Sequence, residues 1–202
     1  MNELRATIAI VRRHMDRRFA VDFAMQLAIV AAIGYAFAHV FVMPVPVLVC
    51  GTLAAASAAE RMHAASLRRV SFFAMPLFGR QLARAHAIAP VVAALSIPLG
   101  YLAGSALRGA APGPAAFAAI VLASATAVLV SLSSVFRDGV RALLYVALAI
   151  GATCTIALPL VTLRSHALDA AAALAFVEGF FALRAFGETL ARYDPLPEFA
   201  GR

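Results

Sequence analysis

Six long apolar stretches, separated by short polar breaks, take up nearly all of the 202-residue chain. They cover residues 19–43, 45–65, 87–107, 113–135, 142–163 and 167–187. Each meets the roughly 17 to 25 residues that a helix rising about 1.5 Å per residue needs to cross the hydrocarbon core of a bilayer. The pattern predicts an all-α polytopic membrane protein with six transmembrane helices. A hydrophobic share of 63% beside 13% charged residues excludes a soluble domain of this length.

Ahead of the first stretch the periodicity changes. Leu4, Ile8, Val11 and Met15 recur three or four positions apart, and Arg5, Arg12, Arg13, Asp16 and Arg17 fill the positions between them. Residues 1–18 therefore read as an amphipathic interfacial helix with a basic polar face, lying in the headgroup plane. A charged tail without defined structure is the alternative. The transmembrane domain then occupies 19–190, and 191–202 form a cytoplasmic tail. The first apolar stretch is too long, and starts too late, for a cleavable signal peptide.

Charge adds orientation. All seventeen basic residues are arginine, and the net charge is +7. If the six stretches span in turn, fifteen arginines fall on one side and only Arg108 and Arg164 on the other. Arginine in short loops is retained in the cytoplasm, which predicts that both termini are cytoplasmic. The arginine-only, alanine-rich composition points to a GC-rich bacterial source, and hence to the inner membrane. The basic side faces anionic membrane lipid; without aromatic residues interleaved in a basic groove, it does not read as a nucleic-acid surface.

The sequence carries no Gly-flanked nucleophilic serine with a matching histidine, no HExxH or paired-glutamate pattern, and no Walker-type glycine loop. It predicts no catalytic, metal-binding or cofactor-binding residues, so the chain is not read as an enzyme. Cys50 and Cys154 lie inside spans without a second ligand at metal spacing and read as packing residues. Gly100 and Gly104 form a GxxxG pair, read as packing within the chain, and Pro98 and Pro159 should kink the third and fifth spans. Glu178 falls near the middle of the last span. A carboxylate there must be protonated, paired or facing water, so it is a candidate for a substrate path or, equally, a packing group.

The one long connection is cytoplasmic, at 60–86. Within it, 66–74 can form a short helix with Leu67, Val70 and Phe73 on one face, stopped by Pro76. Such a helix serves either to dock a soluble partner or to rest on the membrane surface.

These residues carry a resemblance. Ala59-Glu60-Arg61, Ser66-Leu67-Arg68 and the run from Met75 through Pro76, Gly79 and Arg80 to Arg84 resemble the type-2 permeases of ATP-binding-cassette exporters. In that family an acidic-arginine pair ends the second span, and a coupling helix and a proline turn with basic residues follow. The compact six-span plan is similar to the haem-exporter permease. The resemblance implies docking of a separate ATP-binding-cassette ATPase through Glu60, Arg61, Leu67, Arg68, Val70, Phe73 and Arg80. It also implies a path formed with a second permease copy. The family usually has re-entrant helices between spans five and six; here that element would be reduced to the region of Pro159. Two other functions fit the same spans: a small secondary exporter using Glu178 as a proton-linked carboxylate, and a non-transporting subunit of a larger membrane assembly.

Overall fold

The computed structural model describes residues 5, 8–9, 11–12, 15–40, 44–67, 79–134, 139–163 and 166–192, with 62–67, 79–86, 134, 139–143 and 190–192 in backbone outline only. Among these the protein is all-helical. Six long helices follow one another: α1 (Arg17–Phe37), α2 (Val45–Leu67), α3 (Gly79–Leu107), α4 (Pro114–Ser134), α5 (Gly139–Thr162) and α6 (Ala167–Arg192). Over the described residues five of them, α1, α3, α4, α5 and α6, are long and apolar enough to cross a membrane, which makes this a multi-pass membrane protein.

Local chemistry explains most helix ends. Asp16 caps α1, its Oδ1 accepting from the Phe19 backbone N–H at 2.8 Å. That cap separates α1 from the N-terminal residues, of which Arg5, Ile8, Ala9, Val11 and Arg12 are helical. Pro114 opens α4, where its missing N–H costs nothing. Gly109, at φ +78°, ends α3: Ala110 N–H reaches Ser105 C=O at 3.0 Å and Gly109 N–H reaches Ala106 C=O at 2.9 Å. These two bonds close the last turn as a glycine C-cap.

Two boundaries and one expected element differ from the sequence expectation. The first span was expected to reach residue 43, but α1 ends at Phe37 in a turn over 38–40. Its 21 residues already give the length a bilayer core requires. α3 begins at Gly79, eight residues before the apolar stretch, so it carries the backbone of Arg80, Gln81 and Arg84. Finally, α5 runs unbroken through Pro159 to Thr162, and α6 starts at Ala167. The four residues between them cannot hold a re-entrant helix pair, so the reduced element expected at Pro159 is instead the last turn of a continuous helix.

α4 occupies the middle, packed against α2, α5 and α6, with α3 at its edge. Its buried positions are mostly small: Ala119, Ala123 and Ala127, with Ile120, Val128 and Leu132 filling the space between them. Two hydroxyls tie it to its neighbours. Ser131 donates to Ala55 C=O of α2 at 2.9 Å, and Thr126 to Ala175 C=O of α6 at 3.3 Å. Lipid gives no hydrophobic drive to helix association, so close packing and such bonds do that work.

α1 is attached differently. It rests on α3 along three glycines, and only Gly34 of α1 is buried. A Cβ on Gly104 would overlap the Ala31 carbonyl oxygen, one on Gly34 would overlap that of Tyr101, and one on Gly100 would lie 2.8 Å from Leu27 O. The GxxxG pair thus serves packing within the chain.

Candidate functional site

α1 and α2 leave a cleft of about 610 Å³ between them, with Ile97 of α3 also in its lining. One end is polar: Asp22 and Gln26 from α1 face Ser57, Glu60 and Arg61 from α2. The rest is apolar, lined by Ile29, Val30, Ile33, Leu53 and Ala56. The polar end lies at the start of α1 and towards the end of α2.

Gln26 bridges the two helices. Its Nε2 donates to Ser57 Oγ at 3.3 Å, and its Oε1 accepts from Arg61 Nη2 at 3.1 Å. The Arg61 guanidinium also lies over the Phe19 ring, 5.7 Å from its centroid, a favourable cation–π placement. Arg61 is therefore held on two sides by α1. Asp22 and Glu60 line the same cleft without a hydrogen bond or ion pair among the described residues.

Sequence reading singled out Glu60 and Arg61 as docking residues, and they are part of this cleft. Gln26 and Ser57 were missed. A usable signal existed: Asp22 and Gln26 are four apart, Ser57 and Arg61 are four apart, and Glu60 lies between, so each helix turns a short polar stripe toward the other. Single polar residues in apolar helices are easily passed over; two facing stripes are not.

The segment expected to dock a partner is only partly among the described residues. α2 continues through Ser66 and Leu67, so the start of the expected coupling helix belongs to α2. Arg80 lies in the first turn of α3. Arg68, Val70 and Phe73 lie outside the described residues.

Glu178 sits midway along α6, half-buried, in the groove between α5 and α6. Its Oε1 accepts from Thr155 Oγ1 of α5 at 2.7 Å. The same hydroxyl lies 2.9 Å from Ala152 C=O. Its neighbours Phe176, Val177, Phe180 and Phe181 point outward and are exposed, so the carboxyl borders an outer face and not the bundle centre. Arg184 pairs with Glu188 at 3.3 Å and leaves Glu178 to Thr155. Cys50 is buried in the packing between helices and Cys154 is exposed, neither bonded to the other. Among the described residues no group of three or more His, Cys, Asp or Glu could hold a metal ion. No protein-family model matches the chain, and no curated protein or solved structure matches it either.

Proposed function

We propose that the chain is the membrane subunit of an ATP-driven exporter, with both termini in the cytoplasm, working beside a second permease copy and driven by a separate ATPase. The observation that carries this reading is the Arg61–Gln26–Ser57 bridge. It ties the last turns of α2, which lead into the connection between α2 and α3, to the first half of α1. A push on that connection would reach α1 through Arg61. Rocking of one helix unit against another is the usual way such closure is transmitted. The resemblance of 59–84 to coupling segments supplies the partner.

The test is co-purification. Substituting Leu67, Val70 and Phe73 by aspartate should abolish recovery of a co-expressed ATP-binding-cassette ATPase while leaving membrane insertion unchanged. Retained, ATP-stimulated binding by the triple variant would place docking elsewhere.

One observation favours a second reading: the Glu178–Thr155 contact inside an apolar pair of helices. In a proton-linked exporter, Glu178→Gln should impair flux with little loss of folded protein, and flux should follow the proton gradient. For a packing group, glutamine should be mild and leucine destabilising.

A further inference from the structure

α3 is built in two parts that are held in different ways. Towards its Leu107 end, Gly100 and Gly104 seat the backbone of α1 so closely that a Cβ on Gly104 would overlap the Ala31 carbonyl. Tyr101 and Leu102 are buried beside them. Towards its Gly79 end, the side chains buried ahead of Pro90 are Ala87 and Ala89, which offer their neighbours one methyl each. The spanning part begins at Ala87, so the helix starts well before it, at the connection from α2.

Between the two parts the hydrogen-bond ladder is weakened three times. Pro90 and Pro98 both lie inside the helix, and both are buried. Neither has an N–H, so the carbonyls of His86 and Ala94 lose the donor that an ordinary residue would supply four positions on. Ser96 Oγ donates to Ala93 C=O at 2.6 Å, a back-bond of the kind that bends helices. At about 100° per residue, Pro98 comes within about 80° of Pro90 around the helix axis. The two rings therefore press on the same side, and their bends add. Pro159 makes a contrast: it sits in the last turn of α5, with no length of helix beyond it to swing. Two prolines on one side, set between a locked segment and a lightly held one, make a joint.

We propose that α3 is a lever hinged over residues 90–98. The part holding Gly100 and Gly104 stays fixed to α1, and the part from Gly79 to Ala89 tilts about it. Displacement of the α2–α3 connection thus becomes tilt at the Gly79 end and leaves the α1 seam in place. Position 82 lies about 12 Å from Pro90 along the helix, so a tilt of about 20° moves it by about 4 Å. The joint belongs to α3 itself and holds whether or not an ATPase docks on the connection.

The test is a pair of spin-label distances in the full chain, reconstituted in lipid nanodiscs with Cys50 and Cys154 replaced by alanine. One pair joins Leu82→Cys to Leu183→Cys of α6 and reports the lever. The other joins Leu107→Cys to Ala173→Cys of α6 and reports the locked end. The first distribution should be broad or double-peaked and the second narrow. Pro90→Ala combined with Pro98→Ala restores both missing donors; it should narrow the first distribution and leave the second as it was. Equal widths in the two pairs, or an unchanged first width in the double proline variant, overturn the hinge. Hydrogen exchange on the unsubstituted chain gives a reading that needs no variant to fold. Amides of residues 91–97 should exchange about tenfold faster than those of 99–106, because the joint opens more easily than the locked end. Equally slow exchange in both stretches overturns the proposal.

Discussion

α1 and α4 are built from the same kinds of residue and sit in opposite surroundings. Both are 21 residues long and apolar enough to span a membrane. α4 is enclosed by α2, α5 and α6 and buries more than half of its spanning window; α1 buries 6% of its window. α4 is held by interdigitated side chains and two interhelical hydroxyl bonds. α1 is held by close backbone approach along one seam, plus a polar bridge at one end. The difference shows two ways to attach a helix where water supplies no drive. One fills volume, and the other removes side chains so that backbones meet. The second concentrates its stability in very few positions and leaves a cleft beside the seam.

The sharpest break in that comparison is Gly104→Leu. A Cβ there overlaps the Ala31 carbonyl, which is backbone and cannot rotate away, so α1 must separate from α3. Overpacking of this kind costs on the order of 3 kcal/mol or more. Denaturant titration of the reconstituted protein should register it together with loss of the α1–α2 cleft. Gly151→Leu, at an α5 position where an added Cβ meets nothing within 4 Å, should be near neutral in the same assay.

Within α4 the expected cost is spread over several residues. Leu132 is fully buried, and Leu132→Ala should cost about 2 to 4 kcal/mol through lost contacts and a residual cavity. Smaller still is Arg61→Ala, which removes one part-buried hydrogen bond and one cation–π contact; about 1 kcal/mol is expected. Its sharper signature is a wider α1–α2 separation by spin-label distance measurement, with the α4 core unaltered. The smallest effect should come from Phe180→Ala. Phe180 is 60% exposed on the outer face of α6, and lipid replaces the ring at little cost. A large loss there would mean that a protein surface, not lipid, covers this face.

How much of this was legible in the chain differs by residue. Over the described residues, five of the six apolar stretches appear as helices able to span, because length and hydropathy act on one segment at a time. Gly100 and Gly104 announced a seam, and the structure supplies its partner: Leu27, Ala31 and Tyr35 of α1. Glu178 announced a polar group at depth but not its partner. Thr155 is one hydroxyl among many in these helices, most of which bond their own backbone, and nothing local marks it as facing another helix. The region at Pro159 misled, because proline within a long apolar helix is tolerated there without a break.

By itself, then, the sequence determined that this chain lives in a membrane and roughly where its long apolar helices lie. Each of these follows from a free energy of transfer computed one residue at a time along a single helix. Only the tertiary structure decided that α4 is central and α1 peripheral, that Asp22, Gln26, Ser57, Glu60 and Arg61 share one cleft, and that Glu178 meets Thr155. A helix packed against protein and a helix bathed in lipid are both surrounded by hydrocarbon. Hydropathy is therefore silent on which is which, and only shape and the few polar contacts between helices tell them apart.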